Sequence, residues 1–397
     1  MKTDSSMHWN FNIGRARRPC RAVWEKMAHP EGSPYPVEKS YPEIIDIQLT
    51  YLCNLRCKMC GQWGAKGLFI NKVADLRRKE LDAEAWIKFF SEISPHRPEI
   101  LLWGGEPLLR DDFSVILATL GKLGLATSIV TNGTLLKEHA AALTAPNVRV
   151  IYLSLDGDAR HHDAIRGRAG TFRQIAEGVK ALRKARGKGK RPFLIALTTM
   201  QRDNEEILAS LGDVAAELGI DRLIYSPLMF IEQDRAVEQR EYIWRNFGME
   251  WKCSASWDVG GLGVNPEIVQ PILDSLPRIH CGVELETNLP KGISLRQWHE
   301  NTTDTGGRKC CRVPWKKMNV MPNGDCNFCN DFPDYIIGNI REQGVAGIWN
   351  GDKAARFRRA LETAGPSPVC RRCIWLYNDF AEPSAEEGKR GRPYKNA

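Results

Sequence analysis

Three cysteines at C-x3-C-x2-C spacing, Cys53, Cys57 and Cys60, lie in one short loop, 50–63, directly after the apolar run 44–49. Cysteine thiolates are the usual protein ligands of iron–sulfur clusters. Three of them in one tight loop can ligate three irons of a 4Fe–4S cluster. The fourth iron then has no protein ligand and is open to a small molecule. Structural zinc also takes thiolates, but it is closed by four ligands, usually from C-x2-C pairs. Unpaired structural thiols, often buried, are the remaining reading.

A second cysteine group comprises Cys311, Cys326, Cys329, Cys370 and Cys373, so eight of the 12 cysteines fall in two groups. Cys20, Cys253, Cys281 and Cys310 remain. Taken alone, the pairs Cys326/Cys329 and Cys370/Cys373 make a zinc ribbon, and with the basic runs a zinc-ribbon nucleic-acid-binding protein. Clustered cysteines in a reducing compartment read as metal ligands or catalytic thiols, since disulfides are disfavoured there. The N-terminus lacks a signal-peptide apolar core, and no stretch approaches 18 consecutive apolar residues. A cytoplasmic protein with no membrane partner is expected.

The elements that must position these cysteines alternate. Strands are expected at 44–49, 100–103, 126–131, 148–155, 193–199 and 222–226. Helices are expected at 83–93, 113–123, 135–143, 172–184 and 205–218. The second group of assignments rests on helical spacing of apolar residues, such as Trp86, Phe89, Phe90 and Ile93. Such alternation implies right-handed βαβ crossovers and a parallel sheet. Six units are too few for a closed eight-stranded barrel. Functional residues in such folds gather at the C-terminal ends of the strands. Three segments fall there: Gly104-Gly105-Glu106-Pro107, Thr131-Asn132-Gly133, and Ser154-Leu155-Asp156-Gly157 followed by His161-His162-Asp163 and Arg166-Gly167.

The cysteine loop and these strand-end segments resemble the radical S-adenosylmethionine (radical SAM) superfamily. The resemblance implies an α/β fold with a partial (βα)6 barrel. It also implies that Cys53, Cys57 and Cys60 hold a 4Fe–4S cluster whose open iron chelates SAM. The reduced cluster of that family cleaves SAM to a 5′-deoxyadenosyl radical, which abstracts hydrogen from a substrate. Gly104, Gly105 and Glu106 look like the family's motif for the SAM amino group. Ser154 is similar to the residue that contacts the ribose or methionine part, and Arg166 to the one that pairs with the SAM carboxylate. His161 and His162 read as loop residues.

The order Cys311, Pro322-Asn323-Gly324-Asp325, Cys329, Gly338-Asn339, Ile348-Trp349-Asn350, then Cys370/Cys373 resembles the SPASM/twitch auxiliary domain, a small α+β cysteine-rich unit. That implies Cys311, Cys329, Cys370 and Cys373 as ligands of an auxiliary 4Fe–4S cluster for electron transfer. Cys326 is a thiol the pattern does not need, and Cys310 could replace Cys311. The expected organisation is an N-terminal arm at 1–42, a radical SAM core at 43–228, a connecting region or lid at 229–309, the auxiliary domain at 310–380 and a disordered basic tail at 381–397.

The implied activity is that of a radical SAM oxidoreductase or modifying enzyme. A short N-terminal arm favours a small-molecule substrate, a sugar or metabolite; a peptide- or protein-modifying SPASM maturase is the alternative. A flavodoxin- or ferredoxin-type electron donor is implied. The net charge of +8 sits partly in Arg15–Arg21, Arg183–Arg191 and Lys389–Lys395. These runs show no aromatic interleaving for base stacking, so no nucleic acid is expected.

Overall fold

A computed structural model describes residues 40–70, 72–189, 191–253, 261–300, 305 and 307–377. Most of the expected N-terminal arm, the expected tail, Cys20 and Trp257 lie outside the described residues.

The polypeptide runs β1 (Ile44–Gln48), α1 (Val73–Lys79), α2 (Ala83–Ile93), β2 (Glu99–Trp103), α3 (Phe113–Lys122), β3 (Thr127–Thr131), α4 (Leu136–Leu143) and β4 (Val148–Ser154). It continues through α5 (Ala159–Arg166), α6 (Thr171–Arg186), β5 (Phe193–Met200), α7 (Leu211–Leu218), β6 (Arg222–Pro227), α8 (Gln233–Phe247), α9 (Pro266–Ser275) and β7 (Glu284–Thr287). The last part holds α10 (Leu295–Glu300), β8 (Lys317–Val320), β9 (Asp325–Asn327), β10 (Gly338–Asn339), α11 (Val345–Asn350) and α12 (Asp352–Ala364).

The ten strands of the described residues form one sheet in the order β10-β9-β8-β1-β2-β3-β4-β5-β6-β7. The six expected parallel strands are present. Two more extend them: β7 beyond β6, and β8 beside β1, both parallel to their neighbours. β9 returns antiparallel to β8, and β10 antiparallel to β9. The strand beside β1 thus comes from the stretch that carries the second cysteine group, and one backbone ladder links the two cysteine regions.

Period-2 alternation sorts β1. Ile45 and Ile47 are fully buried in the main core with Trp86, Phe90 and Ile93 of α2. Asp46 and Gln48 point to the other face, in register with Leu101 and Trp103. On that inner face Leu101, Tyr152, Ile195 and Ile224 form a separate apolar cluster. Helix α2 forms because Asp82 caps it, accepting from Ala85 N at 2.8 Å, and because its four apolar residues share one stripe. Truncating buried Trp86 to Ala would cost about 3–5 kcal/mol.

Two elements differ from the expectation. His161 and His162, read as loop residues, lie in α5: Asp158 accepts from His161 N at 3.0 Å, and Gly167 ends the helix at φ +73°. The stretch 205–218 is α-helical only from Leu211, after a 3-10 turn at Leu208–Ser210, because Asn204 folds back through hydrogen bonds to Asp156 O and Thr199 O at 3.0 and 3.1 Å.

Candidate functional site

The cysteine loop is held by side chains and by backbone of neighbouring segments rather than by secondary structure of its own. Glu80 Oε1 accepts from Thr50 Oγ1 and Tyr51 N at 2.8 and 2.7 Å. Trp63 Nε1 donates to Tyr51 O at 2.7 Å, and the Arg56 guanidinium lies over the Trp63 ring. Gly105 N donates to Thr50 O at 2.9 Å and Glu106 N to Leu52 O at 2.7 Å. Any Cβ on Gly105 would stand 2.0 Å from Leu52 O, so the Gly-Gly-Glu turn must be glycine to dock on the loop. From the other side α5 abuts the loop: Lys58 N donates to Ile165 O at 3.0 Å. A Cβ on Gly167 would stand 2.7 Å from Arg56 O.

Each of the three sulfurs faces an N–H. Leu55 N donates to Cys53 Sγ at 3.4 Å, Trp63 N to Cys60 Sγ at 3.3 Å, and Arg166 Nη1 to Cys57 Sγ at 3.7 Å. Asn132 Nδ2 lies 3.9 Å from Cys53 Sγ. Burial pushes the Cys53 thiol up to about 12, with Cys57 and Cys60 near enough to add to the rise. Burial likewise raises Cys57, against the pull of Arg166. Buried thiols under N–H donors suit a cationic metal centre, which deprotonates a coordinating thiol outright.

Two of the expected SAM-contacting side chains, Glu106 and Arg166, have protein partners. Glu106 is fully buried; Oε1 accepts from Thr131 Oγ1 at 2.8 Å and Leu108 N at 3.1 Å, and Oε2 from Asn132 N at 2.7 Å. Burial pushes its carboxyl up to about 7. Glu106 therefore ties the Gly-Gly-Glu turn to Thr131 and Asn132. Arg166 Nη2 lies 2.6 Å from Asp156 Oδ2, a residue with no exposure. Ser154 ends β4, in register with Leu197. His161 bridges Asp158 and Glu206, both at 2.6 Å, and His162 Nδ1 accepts from Asp156 N at 3.2 Å.

In the C-terminal part the structure brings Cys311, Cys329, Cys370 and Cys373 together. Burial pushes Cys311 up to about 12, with Cys370 beside it. Burial raises Cys329 and Cys373 further, with Asp331 and Cys370 close to both. Ser367 Oγ lies 3.4 Å from Cys370 Sγ, and Cys373 Sγ donates to Asp331 Oδ2 at 2.8 Å. Cys326 is elsewhere. It lies in the main core, and the charges beside it are Asp325 and Glu92. β-Pleating turns its neighbour Asn327 to the opposite face, where it accepts from Asn319 Nδ2 at 2.8 Å. Among the described residues no three Cys, His, Asp or Glu side chains converge on one metal ion. A cluster that takes each thiolate on a different iron holds its ligands further apart.

Between the two cysteine regions lies a cavity of about 230 Å³, bounded by Met59, Gly61 and Gln62 on one side and by Asn327, Asn330 and Asp331 on the other. Gln48, Trp103 and Asn319 line it from β1, β2 and β8. The signal for them was available: Asp46 and Gln48 interrupt an apolar strand at period 2.

Family models place these two regions. Residues 47–214 match the radical SAM superfamily, and residues 310–374 match an iron–sulfur cluster-binding domain, SPASM. The chain carries a radical SAM domain followed by a SPASM iron–sulfur domain. Its cofactors are therefore 4Fe–4S clusters and S-adenosylmethionine. An AdoMet-dependent heme synthase of Methanosarcina barkeri is 36% identical over 45% of this chain and 48% of that protein, so the match spans about half its length. A PqqA peptide cyclase of Methylocella silvestris is 25% identical over 87% of this chain and 83% of that protein. These radical SAM relatives are enzymes. The fold is also that of Streptococcus suis SuiB bound to S-adenosylmethionine, with a TM-score of 0.58 at 16% identity over 84% of this chain and 72% of that one. No helix among the described residues is long and apolar enough to cross a membrane.

Proposed function

We propose that this chain is a radical SAM enzyme that oxidises or otherwise modifies a small molecule. Cys53, Cys57 and Cys60 would hold the SAM-binding 4Fe–4S cluster, and Cys311, Cys329, Cys370 and Cys373 an auxiliary one. When bound, the reduced cluster and SAM supply a 5′-deoxyadenosyl radical that abstracts hydrogen from the substrate. The residues of the chain bind, orient and exclude water. Gly104 and Gly105 bring backbone against the cysteine loop where SAM would lie, and Glu106 fixes that turn to Thr131 and Asn132. Ser154, at the end of β4, and Arg166, at the end of α5, would be further SAM contacts.

The observation that carries this reading is the docking of Gly105 N and Glu106 N on Thr50 O and Leu52 O. It joins the two segments that a shared cluster and SAM need side by side. The small cavity between the cysteine regions supports a small substrate. Likeness to the PqqA peptide cyclase along most of the chain favours the second reading, a peptide-modifying enzyme. Reconstituted protein should release 5′-deoxyadenosine from SAM under dithionite, and Cys57→Ala should abolish release. Equal release by both proteins would refute the proposal.

A further inference from the structure

Strand register places Gln48, Trp103 and Asn319 on one face. Gln48 pairs with Trp103, and Asn319 pairs with Asp46, one pleat before Gln48. All three line the cavity between the cysteine regions. Gln48 Nε2, Trp103 Nε1 and Asn319 Oδ1 are buried atoms with no hydrogen-bond partner. Gln48 and Asn319 are 4% and 2% exposed. A buried polar atom left unpaired is costly to the fold. Three such atoms on residues that line one cavity are a set that a ligand completes.

The charge of the lining narrows the ligand. No Lys or Arg among the described residues lines the cavity, and its one charged lining residue is a carboxylate, Asp331. A phosphate or carboxylate seated there would lose water without gaining a countercharge. A hydroxyl both donates and accepts. Neighbouring hydroxyls can accept from Gln48 and Trp103 and donate to Asn319, while Met59 and Phe69 cover the carbon skeleton.

We propose that this cavity binds an uncharged, hydroxyl-bearing small molecule about one sugar ring in size, gripped by Gln48, Trp103 and Asn319. The inference rests on the reading above and names the substrate class of that site.

The test is anaerobic calorimetry on reconstituted protein with SAM saturating. The probes are D-glucose, myo-inositol, glucose 6-phosphate and a tetracarboxylate porphyrin. The neutral polyols are expected to bind, and the two anionic probes to bind at least about tenfold more weakly. Gln48→Met and Trp103→Phe should each weaken polyol binding about tenfold, the loss of one hydrogen bond. Asn319→Ser provides a third variant if either fails to fold, with iron content and circular dichroism checking each. The proposal is overturned if no neutral probe binds, if the anions bind equally well, if the variants leave affinity unchanged, or if SAM displaces the polyol. Release of 5′-deoxyadenosine by wild-type protein without any polyol tests the radical SAM reading separately.

Discussion

Arg166 Nη1 donates to Cys57 Sγ at 3.7 Å while Nη2 lies 2.6 Å from Asp156 Oδ2. One guanidinium thus joins a cysteine of the first loop to a carboxylate with no exposure. Removing one partner of a buried ion pair strands the other, at about 3–5 kcal/mol. Arg166→Met is expected to lower the unfolding free energy of cluster-free protein by that amount. Hydrogen bonds to sulfur and net charge set cluster potential. In reconstituted protein the same change should lower the midpoint in a potentiometric titration followed by EPR. An unchanged midpoint would separate Arg166 from the sulfur.

Cys326 lies in the main core, and the charges beside it are Asp325 and Glu92 rather than another cysteine. Cys326→Ala should leave iron per chain at the wild-type value after anaerobic reconstitution. Cys370→Ala should lose about four iron, one 4Fe–4S cluster. Equal losses in the two variants would restore the zinc-ribbon pairing of Cys326/Cys329 with Cys370/Cys373.

Much of this was legible in the chain itself. Strands with strong apolar runs and helices with a clear stripe, such as α2 with Trp86, Phe89, Phe90 and Ile93, fall where their periodicity puts them. β8 was not legible as a partner of β1. Lys317–Val320 is four residues long with two polar members, so nothing in its pattern points to a parallel neighbour more than 250 residues earlier. Helix α5 was hidden because its mean pattern is polar and its histidines suggested a loop; the cap at Asp158 and the stop at Gly167 were the available signals. The partners of Glu106 and Arg166 depend on distant strand ends, which a linear reading cannot bring together.

The cost of burying Glu99 appears in the pH dependence of stability. Burial, with Glu43 nearby, pushes its carboxyl from 4.5 up to about 8, and Oε2 has no hydrogen-bond partner. Between those values the folded protein holds a proton that the unfolded chain has released. This group's contribution therefore falls as pH rises through the window. Glu99→Gln should gain stability over wild type, by an amount that grows from about pH 5 to about pH 9 in urea titrations. A difference independent of pH would contradict the assignment.

Lys317 Nζ lies 2.7 Å from Asp46 Oδ2 and 4.2 Å from the Trp375 ring centroid. The pair ties β8 to β1, and both residues are almost fully buried. Lys317→Met alone should cost about 3–5 kcal/mol, and adding Asp46→Leu should recover much of it. Additive losses in this double-mutant cycle would mean the two side chains do not act as a pair.

The most direct measurement is iron and sulfide per chain after anaerobic reconstitution, wild type against a Cys53/Cys57/Cys60→Ala triple variant. Two cysteine-held 4Fe–4S clusters predict ~8 iron in wild type and ~4 in the variant. Wild type with ~4 iron and a variant with none would contradict a second cluster at Cys311, Cys329, Cys370 and Cys373.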